Sequence, residues 1–270
     1  MTGAVDHDIT TTLGALRVSV AGEGDAIVMW PSLLMDGSLW DEQVAHFSDC
    51  YTTIAVDPPG HGRSSALTGT FSLEDCADCL VEVLDALGVD RAHVLGNSWG
   101  AMVGGVFGAR HGDRAGRLVL MNGTASPAPR TQRIQYSALL LVSRILRGIR
   151  PPLTGSVVKA FLGPTSRADR PHAVGRVIEV AGRNDVRSAG FAVRSVVSLR
   201  PDNRELFGSI TASTLVVAGR EDATFPVDEV RAMADSIPGA RFVVIEDAAH
   251  LVALEVPEVV NGLVDDFLNG

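Results

Sequence analysis

The sequence predicts an α/β protein in which helices flank a mostly parallel central sheet and a further group of helices is inserted. In the first and last parts of the chain, apolar runs rich in β-branched residues alternate with amphipathic helical patterns. This alternation is typical of parallel βαβ units. Between these parts only helical patterns occur. We therefore expect an α/β core over residues 1–125 and 210–270, with a helical lid over residues 126–209.

Apolar periodicity and turn residues define the elements of the first part. The N-terminus around His7 is mixed and polar, so we expect it to be loose. A segment rich in Pro and Gly, residues 58–65, is expected to be a loop. The predicted elements are strands 13–22, 26–31, 51–57, 91–97 and 115–123, and helices 38–48, 73–87 and 99–112.

The same rules apply to the rest of the chain. The inserted segment is predicted to contain helices at 130–149, 156–163, 170–183 and 186–199. The alternation then resumes with a strand at 213–219, a helix at 226–238, a strand at 240–247 and a helix at 257–270.

Charge is unevenly distributed along the chain. Residues 124–210 contain 14 Arg or Lys and 5 Asp or Glu, although the whole chain has a net charge of −9. Two interpretations remain: a solvated helical face, or arginines that meet an anionic substrate. The acidic balance argues against a nucleic-acid partner, and the apolar runs are too short to span a membrane. We expect a cytoplasmic protein that acts on a small molecule without a cofactor or metal, with its oligomeric state left open.

The cysteines are predicted to be structural. Cys76 and Cys79 form a C-x-x-C pair, but this pair lies in a segment where Leu73, Cys76 and Leu80 fall at helical spacing. No second cysteine pair completes a zinc site. Core packing is therefore the preferred interpretation.

Ser98 is the candidate nucleophile. It lies in Gly96-Asn97-Ser98-Trp99-Gly100, a G-x-S-x-G pattern. A predicted strand enters this segment and a predicted helix leaves it, which is the context of a nucleophile elbow. The glycines allow neighbouring chain segments to approach closely. A serine hydroxyl needs a base, and the base needs an orienting acid.

Asp222 and His250 are candidates for the acid and the base. Each lies in a loop that follows a predicted strand. Parallel sheets gather reacting groups at the carboxyl ends of their strands, and the order Ser…Asp…His suits this type of elbow. Glu221 is the alternative acid beside Asp222, whereas Asp228 falls in the following helix.

Four segments resemble motifs of the α/β-hydrolase superfamily, in particular its serine esterase, enol-lactonase and cofactor-free haloperoxidase-like branch. They are VDPPGHGRSS, GNSWG, GRED and AAHLVALEVPE, in the family's order. The resemblance implies an α/β-hydrolase fold, with Ser98 as nucleophile, His250 as general base and Asp222 as the carboxylate that orients the base. It favours Asp222 over Glu221 because the family's acid is fourth in this G-x-x-D pattern.

The oxyanion loop departs from the family pattern. Pro31 and Ser32 stand where the family usually has His-Gly, and some lactone-opening members similarly carry Pro. The resemblance implies that the backbone N–H groups of Leu33 and Trp99 hold the oxyanion. A shift of one residue would make Ser32 the donor instead. Substrate contacts are expected from Ser32, Trp99, Tyr136, Phe161, Phe191 and Leu251.

These residues predict a serine hydrolase that cleaves a carboxylic ester or lactone through an acyl-enzyme on Ser98. The alternative is a carbon–carbon bond hydrolase that acts on a ring-cleavage product or β-diketone with the same three residues. A ligand-binding protein or a lyase on the same scaffold is a third hypothesis, and the complete triad argues against pure binding.

Overall fold

The computed structural model describes residues 3–270, which contain one eight-stranded sheet. The strand order is β1-β2-β4-β3-β5-β6-β7-β8. The strands are β1 (Val5–Thr11), β2 (Gly14–Ala21), β3 (Ala26–Trp30), β4 (Thr52–Val56), β5 (Ala92–Asn97), β6 (Ala115–Met121), β7 (Thr214–Gly219) and β8 (Arg241–Ile245). Strand β2 is antiparallel to β1 and β4, whereas the other neighbours are parallel. The predicted fold class is confirmed.

The N-terminus differs from the expectation of a loose segment. Residues Val5–Thr11 form β1 and pair with β2 along their whole length, from Val5 opposite Val20 to Thr11 opposite Gly14. Only Ile9 and Thr11 of this edge strand are buried. Its apolar alternation is therefore too weak to identify it from sequence.

Two hydrophobic clusters lie on opposite faces of the sheet, because side chains alternate along each strand. Along β3, Val28 and Trp30 join one cluster, while Ile27 and Met29 join the other. The first cluster packs against α2 (Leu73–Ala86), α3 (Trp99–Arg110) and α10 (Val227–Asp235), and the second against α1 (Asp41–Phe47), α11 (Val252–Glu255) and α12 (Pro257–Asn269).

The two cysteines of α2 pack in the hydrophobic core, as the sequence predicts. Cys76 and Cys79 are free thiols buried in the first cluster. Burial raises the pKa of both thiols, so neither is an activated thiolate.

Six helices and a π-helical turn lie between β6 and β7. They are α4 (Arg130–Leu146), α5 (Leu153–Phe161), α6 (Pro164–Asp169), α7 (Pro171–Arg183), α8 (Val186–Val193), the turn Arg194–Ser198 and α9 (Arg204–Phe207). Helices α6 and α9 were not expected, because they are too short to show a period. The boundaries of a separate lid at residues 126 and 209 stay a prediction. Within residues 3–270, no helix combines the length and apolar character that crossing a bilayer requires.

Candidate active site

Ser98 occupies a strained turn between β5 and α3. Its φ of 57° and ψ of −107° lie outside the regions that non-glycine residues usually adopt. A Cβ on Gly96 would collide with the backbone of Gly100, and one on Gly100 would collide with the carbonyl oxygen of Trp30. The two glycines are therefore required by close packing. The turn leaves Ser98 at the N-terminus of α3, where the helix dipole favours negative charge.

A continuous hydrogen-bonded chain joins the three predicted catalytic residues. The Ser98 Oγ lies 2.8 Å from Nε2 of His250, and Nδ1 of His250 lies 2.8 Å from Oδ2 of Asp222. All three side chains are buried. An Nδ1–H that donates to the carboxylate leaves Nε2 as the acceptor for the serine hydroxyl. This arrangement can deprotonate Ser98 during nucleophilic attack.

The two neighbouring acids after β7 have different partners. The second carboxylate oxygen of Asp222 accepts hydrogen bonds from the backbone N–H groups of Thr224 and Phe225, at 2.7 and 3.0 Å. Glu221 instead accepts from the backbone N–H and hydroxyl of Thr165 in α6, at 3.0 and 2.6 Å. Asp222 therefore contacts the histidine, while Glu221 attaches the inserted segment to the core.

Aromatic rings hold the imidazole of His250. Phe161 stacks on it with ring centroids 5.6 Å apart and an interplanar angle of 21°. Phe225 contacts it at the same centroid distance with a tilt of 51°. The backbone N–H of His250 donates to the carbonyl of Phe161. Phe161 is one of the predicted substrate contacts, whereas no sequence pattern identifies Phe225.

Asn122, which sequence analysis missed, fixes the loop that carries His250. Its amide donates to the carbonyls of Ala249 and His250 at 3.0 and 2.9 Å, and its oxygen accepts from the N–H of Gly219 at 2.7 Å. The amide of Asn97 also donates to the His250 carbonyl, at 2.9 Å. Asn122 directly follows β6, so a polar residue after a buried strand was the pattern that could have identified it.

Glu255 supports the same loop from the other side. Its buried carboxylate accepts from the backbone N–H groups of Ala249 and Leu251, at 2.9 and 3.1 Å. It also accepts from the hydroxyl of Ser166 in α6. Burial raises the pKa of Glu255, and these hydrogen bonds oppose the shift. The trailing Glu of the histidine motif therefore positions the loop.

Ser98 and His250 open into a cavity of about 220 Å³ between the core and the inserted helices. Three of the six predicted substrate contacts line it, Ser32, Tyr136 and Phe161, together with Leu33 of the predicted oxyanion loop. The walls are mainly apolar, with side chains from α4, α5 and α8. Residues that sequence analysis did not identify also line it, including Met102, Gln132, Asn184, Arg200 and Phe225.

Three predicted substrate contacts lie elsewhere. The Trp99 indole is fully buried and stacks on Phe71, with centroids 5.6 Å apart, because α3 directs it toward the sheet. Leu251 is fully buried in the second hydrophobic cluster. Phe191 packs against the first cluster and beneath the Arg187 guanidinium. The backbone N–H of Trp99, the predicted oxyanion donor, has no acceptor within α3 because Trp99 is the first residue of the helix.

The predicted oxyanion loop is strained and attached to the inserted segment. Leu34 has a φ of 66°, which is unusual for a bulky residue. Its carbonyl accepts a hydrogen bond from the side-chain amide of Asn184 at 3.0 Å. The Ser32 carbonyl accepts from the N–H of Met35, which closes a tight turn. The loop conformation is therefore shared between core and inserted helices.

No metal centre is apparent among residues 3–270: this part of the chain contains no group of three or more His, Cys, Asp or Glu residues arranged to hold an ion. The polar groups of the cavity are instead hydroxyls, amides, one imidazole and one guanidinium. Such groups can bind and activate an uncharged or anionic organic substrate.

Two curated relatives match most of the chain. A protein of Caulobacter segnis, provisionally named a carbamate hydrolase, is 28% identical over 93% of each chain. The 2-hydroxy-6-oxononadienedioate/2-hydroxy-6-oxononatrienedioate hydrolase of Burkholderia vietnamiensis is also 28% identical and covers 98% of this chain and 90% of its own.

Two solved structures are also similar to almost the whole chain. The enol-lactonase of Burkholderia xenovorans LB400 superposes with a TM-score of 0.88 at 26% identity, covering 98% of this chain and 100% of its own. A malate-bound thermophilic esterase of Thermogutta terrifontis has a TM-score of 0.88 at 25% identity, covering 99% and 98%. The family model of the alpha/beta hydrolase fold matches residues 25–257. The chain therefore belongs to the α/β-hydrolase family and is an enzyme of the hydrolase type.

Proposed function

We propose that the protein cleaves a carboxylic ester or lactone through an acyl-enzyme on Ser98. The observation that carries this proposal is the hydrogen-bonded chain Ser98–His250–Asp222, with both links at 2.8 Å, at the wall of a mainly apolar cavity. The similarity to an enol-lactonase and to an esterase supports ester or lactone chemistry.

The first half of the proposed reaction forms the acyl-enzyme. The Ser98 oxygen attacks the acyl carbon while Nε2 of His250 accepts its proton. Asp222 stabilises the resulting imidazolium and keeps its orientation. The C–O bond to the alcohol then breaks, and His250 returns the proton to the leaving oxygen. With a lactone, the leaving oxygen stays attached to the acyl group.

The second half releases the acid. A water molecule takes the place of the alcohol and transfers a proton to His250 as it attacks the acyl carbon. Collapse of the intermediate frees the Ser98 oxygen, which regains that proton. In both halves, we assign the oxyanion to the backbone N–H groups of Leu33 and Trp99. The start of α3 adds a favourable dipole at the same place.

Hydrolysis of a carbon–carbon bond is the second candidate function. The Burkholderia vietnamiensis hydrolase favours it, because that enzyme's name describes a ring-cleavage product. The two functions use the same three residues but different leaving groups: an alkoxide in one case and a carbanion in the other. A substrate comparison therefore separates them more sharply than further mutation of the triad.

Labelling with a fluorophosphonate probe tests the nucleophile. The wild-type protein should react, whereas Ser98→Ala should not, and its kcat should fall about 10⁴- to 10⁶-fold. Equal labelling of both proteins, or none of the wild type, contradicts the assignment. Aryl esters and lactones assayed beside a coloured dienoate then identify the bond. Loss of the dienoate absorbance without ester or lactone cleavage supports the carbon–carbon function instead.

A further inference from the structure

We propose that Arg200 binds a carboxylate group of the substrate, so that the enzyme prefers esters or lactones whose acyl part carries a second, acidic group. The proposal rests on the proposed function, because it assigns a substrate class to the same cavity. It extends that function from a type of bond to the chemistry of the group at the other end of the substrate.

Arg200 is a buried cation that lines the cavity. Its side chain lies just after the π-helical turn Arg194–Ser198, and the residue is only 4% exposed. Its Nε donates to the carbonyl of Ser126 at 2.7 Å, and one terminal nitrogen donates to the carbonyl of Val196 at 3.2 Å. These two bonds fix the plane of the guanidinium and use only part of its five donors.

The charge of Arg200 is not neutralised by an ion pair. Within residues 3–270, no Asp or Glu forms a salt bridge with this arginine. The carboxylate of Glu229, which accepts a hydrogen bond from the Thr124 hydroxyl, favours the charged form of Arg200 without forming an ion pair with it. Burial lowers the pKa of Arg200 to about 10, so it stays protonated at neutral pH. A buried charge without a counter-ion is costly, and an anionic ligand would remove that cost.

Other arginines of the inserted helices have different surroundings. Arg176, Arg183 and Arg204 each pair with a carboxylate near the surface. The positive charge of this segment is therefore mostly a solvated face, which was one of the two interpretations from sequence. Arg200 fits the other interpretation, an arginine that faces an anionic substrate.

The position of Arg200 relative to the triad suits a substrate with two functional groups. Its guanidinium carbon lies 5.7 Å from the centre of the Phe225 ring, and that ring contacts His250. One aromatic side chain thus separates the proposed carboxylate site from the catalytic base. Tyr136 is close enough that the charge of Arg200 opposes the rise in tyrosine pKa caused by burial. Tyr136 and Arg200 both line the cavity.

The test compares two methyl esters that differ only in the group at the far end of the acyl chain: monomethyl adipate and methyl hexanoate. Hydrolysis is followed with a pH-stat for the wild type, Arg200→Gln and the exposed-residue control Arg194→Gln. We expect the wild type to prefer the adipate ester. Arg200→Gln should lower kcat/KM for that ester about 10- to 100-fold, mainly through KM. Its kcat/KM for methyl hexanoate should change less than about threefold, and Arg194→Gln should leave both values unchanged.

Inhibition of the wild type gives a measurement that does not depend on the folding of a variant. Adipate should inhibit hydrolysis of methyl hexanoate at lower concentration than hexanoate does, and Arg200→Gln should abolish this difference. Equal inhibition of the wild type by the two acids overturns the proposal, as does an equal loss of activity toward both esters in Arg200→Gln. Ester hydrolysis and probe labelling without a preference for the acid would overturn only the role of Arg200. A wild type that cleaves no ester and resists the probe would overturn both proposals.

Discussion

The carboxyl edge of the sheet and the inserted helices contribute to the cavity in opposite ways. At the sheet edge, every predicted catalytic side chain has a polar partner, and Asn122 and Glu255 fix the loop around His250. The inserted helices supply mainly apolar walls and one buried guanidinium without an ion pair. At the sheet edge, the catalytic side chains have their polar partners without a ligand. In the inserted helices, the guanidinium of Arg200 has no carboxylate partner among residues 3–270, and an anionic ligand can neutralise its charge.

This difference separates chemistry from recognition. A fully hydrogen-bonded site is preorganised and works on any substrate that reaches it. An apolar wall with a single charge selects among substrates by their shape and far-end group. Changes at the sheet edge should therefore lower turnover for all substrates, and changes in the inserted helices should alter the preference among them.

The largest effect should come from Asp222, with the adjacent acid Glu221 as its control. Asp222 contacts His250 at the sheet edge, whereas Glu221 contacts Thr165 of the inserted helices. Asp222→Asn keeps the shape of the side chain but removes the charge that orients and stabilises the imidazolium. We expect kcat to fall about 10⁴-fold. Glu221→Gln is the matched control, because it removes a charge one residue away that contacts Thr165 of α6. It should change kcat less than about threefold.

Steady-state kinetics of both variants check this assignment, with circular dichroism to confirm that each one folds. A large loss in Glu221→Gln with a small loss in Asp222→Asn would reverse the roles of the two acids. Equal large losses would mean that the attachment of α6 matters as much as the carboxylate that orients and stabilises the imidazolium. Either result would contradict the assignment of catalysis to the sheet edge and of substrate selection to the inserted helices.

The response to acid should also differ between the two regions. His61, in the loop after β4, is buried, and its ring lies 5.4 Å from that of Trp99. Its Nδ1 lies 3.0 Å from the Pro59 carbonyl oxygen. Burial lowers the pKa of His61 to about 4 from an ordinary value of 6.5, although the bond to Pro59 opposes the shift. His61 is therefore neutral in the folded protein until the pH approaches 4.

The sign of the effect follows from proton binding. Between pH 6.5 and pH 4 the unfolded chain binds a proton at His61 that the folded chain does not, so stability falls as the pH falls. This residue should cost on the order of 2 kcal/mol between pH 7 and pH 5. Urea unfolding followed by tryptophan fluorescence at both pH values measures it. His61→Gln should lose that part of the pH dependence, whereas His172→Gln, an exposed site on α7, should keep it. An unchanged pH dependence in His61→Gln would contradict the assignment.

Sequence could predict the parts of the molecule that follow local rules. The G-x-S-x-G segment needs a strand before it and a helix after it, and both are where periodicity puts them. Asp222 and His250 could be identified because each lies in a loop after a strand of the sheet, β7 and β8 respectively. Asn122 also directly follows a strand of the sheet. It was not a candidate because a neutral amide side chain does not act as an acid, a base or a nucleophile.

The pocket could not be predicted because it depends on how distant segments pack. Trp99 directly follows the candidate nucleophile and Phe191 lies in the inserted segment, yet packing against the core removes both rings from the cavity. Phe225 and Arg200 line it because loops after β7 and after the π-helical turn meet there. Hydrophobic periodicity cannot predict such contacts, because they join elements that are far apart in the chain. The weakly amphipathic strand β1 was missed for a different reason: its exposed edge carries mostly polar residues.

The smallest effect should come from the hydrogen bond that connects the two regions. Asn184 begins the segment after α7, and its amide holds the carbonyl of the strained residue Leu34. Asn184→Ala removes this bond together with the bonds from the same amide to the Val180 and Ala181 carbonyls at the end of α7. The bond to Leu34 alone is worth about 0.5–1.5 kcal/mol, which corresponds to about 2- to 10-fold in rate. If the bond fixes the oxyanion loop, the loss should appear in kcat, because the oxyanion forms only during the reaction.

The control is Ser156→Ala, which removes a hydroxyl from the same cavity without touching the oxyanion loop. It should leave kcat unchanged. An increase in KM at constant kcat in Asn184→Ala would mean that the amide binds substrate, which would make Asn184 part of the recognition surface with Arg200. A fall in kcat for charged and uncharged esters alike would assign it to the chemistry, although it belongs to the inserted segment. The inserted helices would then help to hold the catalytic geometry as well as to select the substrate.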